Sequence, residues 1–409
     1  MRVIASGLLL SLIRGTSGLA CKDESGKEVD WWWMLKRPII AGEDHSIGYK
    51  YIFMTSEMKE SEFLNGTKDV TDEDSLLGQP LKGVYDSSVK NFIMYNDQQP
   101  DGSQTSTYGH SKGYMGWDDK TAFWVQHSIP HFPNYANKGY KFQDGERKNG
   151  QHAFCMSMSK ANVDEVAAIM KFSRPWVYDW DTDKSLPTME QVIDGDHEKD
   201  GSIMKDVKMP WGTVRLFGKT AHDAENMLHD VIAPALKEDF LSQSWLNGGH
   251  PFGSFCPNSG YEVMDIQTVA LGDLLHDTHK DHSKWAVAKL PSSKWACALD
   301  NNHVHEQLNR SGLAVCFEEA GLSTALRSAA IKVAPCDAPA PSPSPTPGSC
   351  CFYHDDTCTQ GKRCCSRSGR GYRSSQSCER YGAKHHCHWT GSDCIVNGSH
   401  AVHDVVVVV

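Results

Sequence analysis

The chain has 409 residues, enough for two or three domains or one large duplicated core with an appendage, and 39% of them are hydrophobic, so a sizeable core can be buried. With 41 Lys and Arg against 51 Asp and Glu, the formal charge of −10 argues against a nucleic-acid binder at neutral pH. Acid reverses this: charging all 20 histidines carries −10 to +10, so a polyanion can be held at the pH of a lysosome.

The N-terminus, MRVIASGLLLSLIRGTSGLA, sets a basic residue before a short apolar run and small residues before Cys21. It reads as a secretory signal peptide, residues 1–20, cut after Ala20. No other stretch reaches the roughly 18 apolar residues of a membrane span. A secreted chain meets an oxidising compartment, so the 14 cysteines read first as disulfides and second as metal ligands. Asn65-Gly-Thr, Asn309-Arg-Ser and Asn397-Gly-Ser are N-glycosylation sequons that fit this route.

From Cys21 to Cys336 the pattern is globular. Trp31 to Leu35 predicts a buried strand ended near Pro38, with further strands at Tyr49 to Met54, Asn91 to Tyr95 and Thr121 to Val125. The spacing of SKANVDEVAAIM predicts a helix from Ser159 to Met170. An acidic, irregular stretch from Pro175 to Pro210 marks the junction of two halves. Beyond it come a strand over Gly212 to Gly218, a helix over Ala224 to Leu236, strands at Ser242 to Trp245 and Val263 to Leu271, and a closing helix over Ala320 to Val333. Alternating strands and helices predict two α/β halves of similar size, about 21–180 and 181–336.

One tripeptide occurs twice, as His110-Ser111-Lys112 and His282-Ser283-Lys284. On a strand, residues two apart share a face, so each pair can address one anion. Two such pairs meeting would supply one histidine to attack phosphorus, another to protonate the leaving oxygen, and two lysines for the non-bridging oxygens. A third match, His197-Glu198-Lys199, lies in the acidic run DGDHEKDG and reads as a solvated loop. His276, His279 and His282 have helical spacing for a metal, but His282 belongs to the repeated tripeptide, and no metal site is assigned.

Residues 337–349, DAPAPSPSPTPGS, form a stiff proline-rich linker. Residues 350–409 carry eight cysteines, which a module this small needs as staples: four disulfides with 105 possible pairings. Zinc is the rival reading, since His385, His386 and His388 flank Cys387. Its aromatic residues form either a small core or a stacking surface for sugars or bases.

The blocks VDWWWMLKRP, YKYIFMTS, FIMYNDQQP, YGHSKG, FWVQHSIPHFP, GQHAFCMS, VIAPALKEDFLSQSW, DHSKWAVA and ALDNNH, in this order, resemble deoxyribonuclease II, the acid endonucleases related in fold to phospholipase D. The resemblance spans Cys21 to Cys336. It implies a pseudo-dimeric phospholipase D-like α/β fold closing one active site between its halves, and cleavage of double-stranded DNA without a cofactor or divalent metal. It further implies a phosphohistidine intermediate, 3′-phosphate and 5′-hydroxyl ends, and a lysosomal or secreted location.

Position by position, His110, Lys112, His282 and Lys284 match the catalytic pairs and His127 a further required histidine; Asp118 and Asn302 fall where related enzymes keep polar partners. The resemblance also implies disulfides joining Cys21 to Cys155, Cys256 to Cys336, and Cys297 to Cys316. It has no counterpart for residues 337–409, whose module is left open as a binder of surface polysaccharide or DNA. Two other classes stay open: a secreted toxin-like or surface-binding protein with a secondary or inert nuclease domain, and a lipid phosphodiesterase.

Overall fold

The computed structural model describes residues 18–247 and 249–336, and beyond them two short strands, Cys387–Trp389 and Cys394–Val396, paired antiparallel. The chain divides into two compact units meeting between residues 338 and 339. Most of the signal segment, the linker, the cysteine pairings of the module and the Asn397 sequon lie outside the described residues.

The larger unit is a mixed α/β structure built on two large sheets. The first draws on β1 (Trp31–Lys36), β2 (Tyr51–Thr55), β3 (Leu64–Asn65), β4 (Asn91–Asn96), β5 (Lys112–Trp117), β6 (Thr121–His127), β7 (Gln151–Ser159) and, after helix α1 (Lys160–Ser173), β8 (Val177–Asp181). Its order is β8-β4-β5-β6-β7-β1-β2-β3, antiparallel throughout. Helix α2 (Pro187–Ile193) leads to the second sheet: β9 (Ser202–Met209), β10 (Gly212–Lys219), β11 (Phe240–Gln243), β12 (Val263–Leu271), β13 (Leu274–Asp277), β14 (Trp285–Ala288), β15 (Trp295–Leu299) and β16 (Gly312–Glu318). This sheet runs β9-β10-β16-β15-β14-β11-β12-β13. Reversed, its central path β11-β14-β15-β16-β10 matches β4-β5-β6-β7-β1, and in each sheet a helix follows the equivalent strand: α1 after β7, α3 (Ala320–Ala329) after β16.

The strands read as unbroken apolar runs because both faces of each sheet are covered. Trp31, Trp33 and Leu35 point into a central core shared by both sheets and α1 to α3, where the Phe154 and Phe317 rings stack with centroids 5.0 Å apart. Trp32 and Met34 alternate to the outer face of the first sheet, and Ala286, Cys297 and Cys316 to that of the second. Disulfides join Cys21 to Cys155, Cys256 to Cys336, and Cys297 to Cys316, the last pair directly opposed on β15 and β16. Among the described residues no helix is long and apolar enough to cross a membrane.

Several boundaries differ from the sequence expectation. The helix expected over Ala224 to Leu236 starts late, with Asn226 as its cap, and runs as a wide-turn segment, Met227–Ile232, into a short α-helix, Ala233–Leu236. The closing helix stops at Ala329, and Ala330–Val333 instead forms a strand on β12. The β-branched Ile331 and Val333 favour that strand. Strand β11 spans Phe240–Gln243 and ends before Ser244, which leaves Trp245 outside the sheet.

Candidate active site

Neither His-Ser-Lys tripeptide lies wholly on a strand. Strand β5 begins at Lys112 and β14 just after Lys284, so each histidine sits in the preceding loop. Each loop is anchored by the loop that leads into a strand of the other sheet. The His110 N–H donates to the Ser311 carbonyl at 3.0 Å, and the His282 N–H to the Gly150 carbonyl at 2.8 Å. His110, Lys112, His282 and Lys284 thereby line one cavity of about 700 Å³ with Asn302, Trp245 and Arg310.

Asp300, at the end of β15, holds the first tripeptide. Its buried carboxylate accepts from the Ser111 hydroxyl at 2.5 Å, the Gln126 amide at 3.0 Å and the Leu313 N–H at 2.8 Å. Burial pushes this carboxyl up to about 6. The Asp300 carbonyl lies 2.9 Å from Nδ1 of His110, and since a carbonyl can only accept, Nδ1 carries a proton; in the neutral ring Nε2 then keeps its lone pair. Burial, and then the charges of Lys112 and Lys284, hold His110 well below the usual imidazole range, which favours the neutral ring.

Asp97 pairs with the Lys112 ammonium and also accepts from Nη2 of Arg310 at 2.6 Å, a further link between the two sheets' loops. The Lys284 ammonium, in contrast, has no hydrogen-bond partner among the described residues. Burial, and then repulsion from Lys112, lower it to about 7. The two lysines therefore differ: one is locked to a carboxylate, and the other is left for an anion and charges as the pH falls through neutrality.

The family model described as Deoxyribonuclease II matches residues 20–336. The chain belongs to the deoxyribonuclease II family. It is 28% identical over 350 residues to plancitoxin-1 of Acanthaster planci, covering 81% of this chain and 97% of that protein. Identity to cell-death-related nuclease 7 of Caenorhabditis elegans is 29% over 343 residues, 80% of this chain and 92% of the relative. Deoxyribonuclease-2-alpha of Rattus norvegicus is 28% identical over 362 residues, 81% and 99%.

Within this deoxyribonuclease II fold the other expected residues divide. Asn302 reaches the cavity, where its Oδ1 accepts from the Trp245 N–H at 3.2 Å. His127 lies behind the cavity wall formed by Ser128 and Pro130: its ring packs on Tyr114 and Phe132, Nδ1 accepts from the Ile129 N–H, and Nε2 is buried without a partner. Asp118 is not brought to the site. It closes the β5–β6 hairpin, accepting from the N–H groups of Lys120 and Thr121 and from the Thr121 hydroxyl, since an Asp at the start of a tight turn satisfies its own backbone. The carboxylates that hold the first pair are Asp97 and Asp300, which the sequence reading missed although both stand in quoted blocks, FIMYNDQQP and ALDNNH.

Two further residues escaped notice. His152 accepts the Lys284 N–H on Nδ1 at 3.0 Å and stacks on Trp33, and burial lowers it to about 3. Arg310 is the middle residue of the Asn309 sequon, and only the fold turns it into the cavity. The three histidines considered as metal ligands do not converge: His276 pairs with Asp281 at 2.9 Å and His279 with Asp277. Among the described residues the one His/Cys/Asp/Glu grouping compact enough for an ion is Cys256, Glu262 and Cys336, and its two sulfurs are already joined in a disulfide.

Proposed function

We propose that this chain is an acid endonuclease that hydrolyses DNA through a phosphohistidine on His110, with no divalent metal taking part. The observation that carries the reading is the bond between Nδ1 of His110 and the Asp300 carbonyl, which leaves a neutral Nε2 as nucleophile beside a second histidine and three cationic side chains.

Nε2 of His110 attacks phosphorus and forms the N–P bond. The P–O5′ bond breaks, and His282 gives its proton to the departing oxygen, leaving a 5′-hydroxyl. Neutral His282 then takes a proton from water as that water attacks the phosphohistidine, and a 3′-phosphate is released. Lys112, Lys284 and Arg310 bear the charge developing on the non-bridging oxygens, the electrostatic work a metal does in other nucleases. Burial and the Lys284 charge lower His282 to about 3 in the empty site; a phosphodiester anion entering the cavity raises it.

The recurring strand path, with each half anchoring the other's histidine, supports a pseudo-dimeric phospholipase D-like arrangement with halves near 21–180 and 181–336. Three disulfides and the signal-like N-terminus support passage through an oxidising compartment to a lysosome or the exterior. DNA is the substrate named by the relatives, and the cationic, polar cavity suits its phosphates better than a lipid.

Purified protein should cleave duplex DNA near pH 5 with EDTA present, and His110→Ala should not. End analysis should find 3′-phosphate and 5′-hydroxyl termini. Activity lost to chelator and restored by Mg²⁺ would refute the metal-free step, and 5′-phosphate ends would refute the leaving group.

A further inference from the structure

The two histidines are held by different means. His110 is tied through Nδ1 to a carbonyl, whereas neither ring nitrogen of His282 has a hydrogen-bond partner among the described residues. What lies against the His282 ring is the Trp245 indole, with centroids 4.0 Å apart and planes at 38°. The indole is itself pinned. Its Nε1–H donates to the His279 carbonyl at 3.2 Å, and its main-chain N–H to Oδ1 of Asn302 at 3.2 Å.

The charged groups around His282 offer its cation little support. Lys284 and Asp281 face it from its own segment, Lys112 from β5 and Lys36 from β1. Three of these four are cations. Asp281, the exception, already accepts from the Ser283 N–H and pairs with His276. An indole face is the neutral group best suited to an adjacent cation, worth roughly 0.5–2 kcal/mol.

The geometry points to Trp245 as the positioning residue of the general acid: its π face fixes the His282 ring and favours the imidazolium that protonates the leaving oxygen. This rests on the assignment of His282 as acid given above. It predicts that the indole matters to proton donation and that its effect does not require a base to be stacked on it.

The test uses the full chain with ¹⁵N-labelled histidine, the His282 resonance being assigned by its loss in His282→Gln. Trp245→Leu should lower the His282 titration midpoint by about 0.4–1.5 pH units, the energy above divided by ~1.4 kcal/mol per unit. The alkaline limb of the kcat profile on DNA should move to lower pH by the same amount. Trp245→Phe, with a weaker π face, should fall between the two and carries the test if the leucine variant does not fold. The loss should persist on an oligonucleotide with abasic sites flanking its scissile bond. The inference is overturned if the midpoint and limb do not move while KM for DNA rises and the defect vanishes on the abasic substrate, which would make Trp245 a platform for a base. Failure of the acid assignment itself would show separately, as a His282→Gln variant that cleaves DNA like the wild type.

Discussion

The His110 N–H donates to the carbonyl of Ser311, a residue from the other end of the chain, and the His282 N–H makes the matching bond to Gly150. Three residues before each acceptor a carbonyl is held by a buried lysine: Arg147 by Lys36, which also takes the carbonyls of Arg37 and Gly48, and Leu308 by Lys219, which also takes Thr220. Lys36 and Lys219 end the equivalent strands β1 and β10. The arrangement thus occurs twice, each sheet leading to one histidine and to the brace of the other.

The brace can be tested on Lys219. Its replacement by Met keeps the volume but leaves two carbonyls unpaired, which costs about 1–3 kcal/mol for each group that stays buried. The loop carrying Ser311 should then shift under His110. We expect kcat on DNA to fall with KM little changed, and the melting temperature to drop by several degrees; unchanged kcat in a destabilised protein would make Lys219 purely structural.

Lys284 offers a source for the proposed acid preference. Held at about 7, its ammonium is partly discharged at pH 7.5 and charged at pH 5. Arginine stays charged at both, so Lys284→Arg should raise the ratio of kcat/KM at pH 7.5 to that at pH 5 severalfold, even as absolute rates fall. An identical ratio in variant and wild type would place the acid preference on another group.

Arg310 spans what a lysine cannot. Its guanidinium reaches Asp97, the Thr105 carbonyl and the Tyr108 carbonyl together. Arg310→Lys should lower kcat/KM on DNA by about tenfold, the effect of ~1.4 kcal/mol, with a melting temperature near that of the wild type. Full activity in this variant would remove Arg310 from the phosphate site.

Buried histidines also set how stability depends on pH. His110, His127, His152 and His282 all lie below their ordinary value in the folded chain, chiefly through burial. Unfolding therefore takes up protons, so the stability these groups contribute is present above about pH 6.5 and is lost as the pH falls toward 3, by up to ~1.4 kcal/mol per unit for each. Asp300, raised to about 6, runs the other way between about pH 4 and 6 and offsets one of the four. The melting temperature of the free protein should accordingly fall from pH 7 to pH 4.5. His152→Asn, whose side-chain oxygen can still accept the Lys284 N–H, should flatten that fall; parallel curves for variant and wild type would exclude His152.

Much of this molecule is legible residue by residue. The apolar runs of β1, β4 and β6, the capped helix α1 and the repeated tripeptide need only local chemistry. Burial pattern, helix capping and the pairing of an imidazole with an ammonium are all encoded within a few positions. The resemblance to deoxyribonuclease II rests on such short blocks as well.

Partnership between distant residues is another matter. Asp97 and Asp300 look like ordinary turn residues in sequence, Arg310 like the filler of a sequon, and Trp245 like the end of a strand. Asp118, the residue directly after the strand that Lys112 begins, stays in its own hairpin. Long-range hydrogen bonds carry no local signature, because the cost of leaving a buried carboxylate or carbonyl unpaired is felt only after two sheets have closed over it. The sequence by itself therefore determined which groups could do phosphodiester chemistry and which strands would carry them. The tertiary structure decided which histidine has a fixed tautomer, which lysine is free to meet an anion, and what stands behind the second histidine, since each depends on how residues distant in sequence are brought together.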